Sequence, residues 1–221
     1  MIRIGGMTPL TTIDFPGRLA TVLFMQGCPW RCTYCHNPEL LPARAAGGIA
    51  WALVEDFLHR RRGLLDGVVF SGGEPTSQAA LGDAIAQVKA MGYQVGLHTG
   101  GMYPERLRRV LPLLDWVGLD IKGPAERYDC ITGRRDSAVP VGASLDYVLE
   151  SGIDYECRTT WHPGLFPLVA LYRLAEDLVH RGVQCWVLQE CREDGHGIAA
   201  AGKPDLARLG AGFRDFRFRH G

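Results

Sequence analysis

Three cysteines, Cys28, Cys32 and Cys35, crowd into one short stretch of a 221-residue chain that carries seven in all. An odd count, in a chain too long to need disulfide staples, points to a reducing compartment and a metal. Two metals compete for the triplet. A structural zinc closes four ligands, and the nearest fourth is His36, but it adjoins Cys35, and neighbouring side chains seldom reach one ion. A four-iron, four-sulfur cluster is usually held by four cysteines, so three leave one iron open to an exogenous ligand. Cys130, Cys157, Cys185 and Cys191 lack C-x-x-C spacing and read as small buried hydrophobes.

A second group of residues suits a zwitterion. In Ser71-Gly72-Gly73-Glu74-Pro75 the bare glycine backbone lets a ligand approach closely, and a carboxylate or carbonyl there accepts from an ammonium. The competing reading is a tight strand-to-helix turn. Asp120 and Lys122, two residues apart at the end of an apolar run, share one strand face and need partners if buried; a zwitterionic ligand would satisfy both, and a surface ion pair between them is the competing reading. Arg158 also ends a strand-like run and could clamp a carboxylate bidentately. Glu156 shares its strand face, so an internal Glu156–Arg158 pair is the alternative.

Six short β-branched or aromatic runs position these groups: Thr21 to Gly27, Gly67 to Ser71, Gln94 to His98, Trp116 to Ile121, Tyr155 to Thr160 and Cys185 to Gln189. Helical spacing follows in Trp51, Val54 and Leu58 before Gly63, in Leu81, Ile85 and Val88 before Gly92, after Pro104, and in Leu168 to Leu178 before Gly182. A last short helix is expected near Asp205. Strands alternating with helices pair in parallel. Six units are too few for a closed eight-fold barrel, so the predicted fold is α/β, a partial (β/α)6 barrel in a single domain spanning 1–221. Its chemistry belongs at the strand C-terminal ends.

Composition limits the rest. Hydrophobic residues make up 47% and charged ones 22%, which excludes disorder as the main state. Lys+Arg and Asp+Glu are 24 each, so no basic field gathers nucleic acid. No apolar run reaches the roughly 18 residues of a membrane span, and Met1 to Gly17 lacks a secretory pattern, so the expectation is a cytoplasmic protein with no membrane partner. Arg60-Arg61-Arg62 reads as a helix C-terminus complementing the dipole. The tail Arg214 to Arg219 reads as an edge strand or a lid over the last helix.

The triplet C-x-x-x-C-x-x-C with Tyr34 before the third cysteine resembles the radical S-adenosylmethionine (SAM) enzymes at every defining position. The resemblance implies a [4Fe-4S] cluster on Cys28, Cys32 and Cys35 whose open iron binds SAM, with electron transfer yielding methionine and a deoxyadenosyl radical. It implies cofactor contacts from Tyr34, from Gly72, Gly73 and Glu74, from Thr99, and from Asp120, Lys122, Arg158 and Gln189. Asp14-Phe15-Pro16-Gly17, Gln26-Gly27-Cys28 and Cys35-His36-Asn37-Pro38-Glu39-Leu40 further resemble the glycyl-radical-enzyme activases, in particular the anaerobic ribonucleoside-triphosphate reductase activating proteins. The implied partners are a glycyl radical enzyme of that reductase type and a flavodoxin- or ferredoxin-like electron donor. A radical enzyme acting on a small molecule of deazapurine type or on a peptide is the alternative, and a non-enzymatic metal-binding module the third reading. His98 departs from the pattern: formate-lyase activases carry there an Asp, before a Thr, that helps bind a monovalent cation. Here the reading is a structural histidine bonded to a neighbour.

Overall fold

A computed structural model of the chain describes residues 1–45, 47–191 and 204–220. The six expected strands are β2 (Ala20–Met25), β3 (Gly67–Gly72), β4 (Gln94–Thr99), β5 (Trp116–Asp120), β6 (Asp154–Trp161) and β7 (Cys185–Glu190), each parallel to the next in one sheet. Two more strands extend it. β1 (Ile4–Thr11) pairs antiparallel with β2, and β8 (Asp215–Arg219) pairs parallel with β7. The edges β1 and β8 do not meet, so the sheet of eight strands stays an open, partial barrel.

The six expected strands are thus all present, and β1 and β8 bring the sheet to eight strands among the described residues. β1 hides behind its composition, because Gly5, Gly6 and Pro9 punctuate it like a loop. At an edge, Pro9 need not take part in a ladder, and register shifts at both ends absorb the irregularity. The tail resolves as the edge strand rather than the lid.

Among the described residues, seven α-helices return the chain: α1 (Trp51–Arg61), α2 (Leu81–Ala90), α3 (Pro104–Val110), α4 (Ala125–Thr132), α5 (Ala138–Ser151), α6 (Leu168–His180) and α7 (Leu206–Gly210). Pro104 sits in the first turn of α3, and the Asp205 carboxylate caps α7 by accepting from the Arg208 amide. Helices α4 and α5 had no legible signal. The first is short and polar, and the second opens with Pro140 and Gly142, although Pro in a first turn costs no helical bond. Left-handed glycines end both, Gly133 at φ 65° and Gly152 at φ 68°.

Strand alternation splits the molecule into two environments. One face of the sheet, with Leu23, Val68, Phe70, Val95, Leu97 and Leu119, packs under Val54, Leu58, Ile85, Leu107 and Leu171 of the helices. The inner face carries a smaller cluster of Phe15, Ala20, Val22, Val69 and Trp116 toward the strand N-terminal ends. On the same face, toward the strand C-terminal ends, come Ser71, His98, Asp120, Arg158 and Gln189. The loop before β2 folds Phe15 into this concavity, where a Cβ on Gly67 would lie 2.8 Å from its ring. Among the described residues, no helix is long and apolar enough to cross a membrane. Cys157, Cys185 and Cys191 are buried as expected, whereas Cys130 is exposed on α4, a correction to its reading as a core residue.

Candidate active site

The strand C-terminal ends surround a cavity of about 300 Å³, and every predicted site residue lines it. The loop after β2 contributes Cys28, Cys32, Tyr34 and Cys35; the turn after β3 contributes Gly72, Gly73 and Glu74; later strand ends contribute Thr99, Asp120, Lys122, Arg158 and Gln189. Sequence reasoning missed Trp30, Met102 and Thr160, which share the lining. Thr160 and Met102 lie at or just beyond strand ends and were open to the same positional argument. Trp30 carried no such signal.

Backbone bonds fix the cysteine loop. Gly27 N donates to Leu40 O at 2.8 Å and Cys28 N to Leu41 O at 3.1 Å, which close the loop on a short 3-10 turn at Pro38–Leu40. Arg31 N and Thr33 N donate to Thr132 O and Ile131 O at 2.8 and 3.1 Å, tying the loop to the end of α4. The Gln26 side-chain amide donates to Glu39 O and Pro42 O. Burial pushes the Cys28 thiol up to about 12 and raises Cys32 as well; a bound metal, which takes the thiolate, opposes that shift. Among the described residues no three His, Cys, Asp or Glu side chains gather as ligands of one ion. A cubane cluster does not require that, since each thiolate binds a different iron.

In the turn after β3, Gly72 takes φ 102°, and a Cβ on Gly73 would meet Gly27 O at 2.5 Å. Bare backbone is thus required for the chain itself to pack against the cysteine loop, where Gly73 N donates to Met25 O and Glu74 N to Gly27 O, both at 2.9 Å. Glu74 is buried, and its carboxylate is already engaged. It accepts from Thr76 N at 3.0 Å, from the hydroxyls of Thr76 and Thr99 at 2.5 and 2.7 Å, and from Gly100 N at 2.9 Å. Burial raises its pKa, and these donors pull in the opposite direction. The carboxylate and the Thr99 hydroxyl are thereby parts of the turn's frame.

The charges beyond form a network. Asp120 accepts from Lys122 Nζ at 2.8 Å and pairs with Arg158, whose Nη2 and Nε lie 2.9 and 3.0 Å from Oδ1. Burial pushes the Asp120 carboxyl up, but Arg158 and Lys122 outweigh it and hold it far below the carboxylate range. Lys122, opposed by burial but facing Asp120, is raised well above the usual lysine value. Its ammonium also lies 5.7 Å from the centre of the Tyr34 ring. The expected Glu156–Arg158 alternative is not formed.

His98 is satisfied internally. Nε2 lies 2.8 Å from Asp14 O, and a carbonyl can only accept, so Nε2 carries the proton and Nδ1, 3.2 Å away, accepts from the Ser71 hydroxyl. Burial and the nearby Arg158 push its pKa down to about 3. A base lowered on folding loses stability as pH falls below its unfolded value, so this contribution is flat above neutrality and is lost between about 6.5 and 3. At pH 5 the cost is about 2 kcal/mol. Urea unfolding of His98→Gln is expected to show a pH 7.5 to pH 5 stability difference smaller than wild type by that amount; equal differences reject the assignment.

The residues present fit an iron–sulfur cluster and a bound amino-acid cofactor. Three thiols face one cavity with a carboxylate, an ammonium and a guanidinium suited to a zwitterion, and the buried Tyr34 hydroxyl has no hydrogen-bond partner within the protein. A half-barrel of parallel strands with this mouth defines a cofactor-dependent α/β enzyme. The profile of the Radical SAM superfamily matches residues 22–166, and the chain belongs to that superfamily. It is a radical SAM enzyme, and its cofactors are a [4Fe-4S] cluster and SAM.

Among its relatives, a putative glycyl-radical enzyme activating enzyme, MJ1227, from Methanocaldococcus jannaschii is 30% identical over 172 residues, covering 72% of this chain and 68% of that one. A pyruvate formate-lyase-activating enzyme from Clostridium pasteurianum is 37% identical over 143 residues, covering 61% of this chain and 58% of that one. The match thus spans less than two thirds of the second relative's length. The crystal structure of QueE from Escherichia coli shares the fold, with TM-score 0.61 and 20% identity over 100% of this chain and 93% of that one.

Proposed function

We propose that the chain is an activase that installs a glycyl radical on a partner enzyme, of the anaerobic ribonucleotide reductase type. The observation that carries this reading is the convergence of Cys28, Cys32 and Cys35 with the Asp120–Lys122–Arg158 network on one open cavity, in a chain whose relatives are named as activating enzymes. When bound, the cluster and SAM supply a one-electron reductive cleavage that yields a hydrogen-abstracting deoxyadenosyl radical. Lys122 and Arg158 hold the cofactor carboxylate. The ammonium is met by Asp120 and by the Gly72–Gly73–Glu74 turn, through its backbone carbonyls and the Glu74 carboxylate. Tyr34 offers its unpaired hydroxyl to the cofactor, and Trp30 and Met102 keep water from the reacting centre. The electron comes from a flavodoxin- or ferredoxin-like donor.

The mouth at the strand ends is open, which suits a flexible loop bearing the target glycine. A folded glycyl domain would have to open first. Electron paramagnetic resonance of this protein mixed anaerobically with an anaerobic ribonucleotide reductase, SAM and reductant is expected to show a doublet from α-hydrogen coupling. Deuteration of the partner's glycine at Cα collapses it to a singlet. Absence of that signal, with turnover of a purine precursor or a peptide instead, overturns the reading.

A further inference from the structure

Glu156 lies on the inner face of β6 with its side chain 2% exposed, two residues before Arg158 on the same strand face. A carboxylate buried to that degree must be paired. The cation next to it on its own strand is Arg158, yet that guanidinium turns to Asp120. Glu156 is claimed from two strands away. Arg219 Nη2 lies 3.3 Å from both of its oxygens, and Arg217 Nη1 lies 3.9 Å from Oε2. On the intervening β7, Val187 stands between Arg158 and Arg217 in register, and Gln189 stands beside Arg219. Two strand spacings, about 9.5 Å, separate β6 from β8, a gap that a side chain of arginine length crosses. The inner face therefore alternates in sign from Lys122 through Asp120, Arg158 and Glu156 to the arginines of β8.

We propose that Arg219, with Arg217 beside it, is a positioning residue for the cofactor site: by neutralising Glu156 it keeps Arg158 turned to Asp120 and the cavity. The inference rests on Arg158 holding the cofactor carboxylate, as read above. Without the β8 arginines, the buried carboxylate takes the nearest remaining cation on its own strand. Arg158 then swings away from Asp120, and the site loses its clamp while the cysteine loop stays intact. Arg217 alone is a weak substitute, since it is already bound to Asp215 at 2.6 Å and is 42% exposed.

Anaerobic isothermal titration of SAM into the cluster-loaded protein tests this. Arg217→Gln/Arg219→Gln is expected to bind SAM about tenfold more weakly or worse at unchanged iron content. Adding Glu156→Gln, which removes the charge that captures Arg158, is expected to restore affinity, and Glu156→Gln alone leaves it near wild type. A merely structural role for β8 predicts no such rescue. Wild-type affinity in the double variant, or failure of Glu156→Gln to restore it, overturns the proposal. Should the double variant not fold, Arg219→Lys against Arg219→Gln makes the same comparison, with affinity kept in the first and lost in the second. Arg158→Ala separates the two readings. If it binds SAM normally, the assignment of Arg158 itself fails; if it binds weakly while the β8 variants bind normally, only the positioning role fails.

Discussion

Anaerobically reconstituted wild-type protein is expected to hold about four irons per chain, and replacing any one of Cys28, Cys32 or Cys35 with Ala to abolish SAM cleavage. Each thiolate holds a different iron, and an open position is already spent on the cofactor, so the loop has no ligand to spare. His36 cannot replace its neighbour Cys35 without unseating the loop that Arg31 N and Thr33 N tie to α4. Cys157 and Cys185 are buried in the sheet and Cys130 is exposed on a helix, none of them in the cavity lining. Iron analysis, the visible absorption of the cluster and chromatographic detection of deoxyadenosine under reductant measure the outcome. Full cleavage by Cys32→Ala, or a stable zinc protein that takes up no iron, rejects the cluster assignment.

Gly72→Ala is expected to destabilise the fold by about 3 to 5 kcal/mol, the sum of a strained backbone and an overpacked contact. The residue sits at φ 102°, and its Cβ would lie 2.7 Å from the Phe24 carbonyl carbon and closer still to Met25 N. Backbone cannot rotate aside as a side-chain tip can. The clash falls where β2 leads into the cysteine loop, so iron uptake is expected to drop together with the melting temperature. Gly182→Ala is the control: φ is 86° but nothing lies within 4 Å of the added carbon. It should cost only the backbone strain, on the order of 1 kcal/mol. Equal losses in the two variants, by thermal unfolding, would show that crowding at Gly72 contributes nothing.

Local chemistry made much of the site readable before any fold was known. The cysteine spacing, the paired glycines and the i, i+2 charges on strand ends are properties of neighbours in the chain, and parallel β/α alternation sends all such ends to one side. Partner choice is different, because it depends on which groups lie closest in space. Glu156 beside Arg158 in sequence suggested a pair, but sheet order put Arg219 within reach and gave Arg158 to Asp120. Glu74 was legible as a cavity residue, but only the folded turn shows its carboxylate accepting from Thr76, Thr99 and Gly100 as well. His98 reads as structural from either side, yet its proton-bearing nitrogen is set by a carbonyl 84 positions away in the chain. The sequence alone determined the kind of chemistry and the end of the sheet that hosts it, since both follow from residue type and periodicity. Only the tertiary structure decided how the buried charges are shared, because each takes its partner from whichever strand or loop the fold brings within hydrogen-bonding distance.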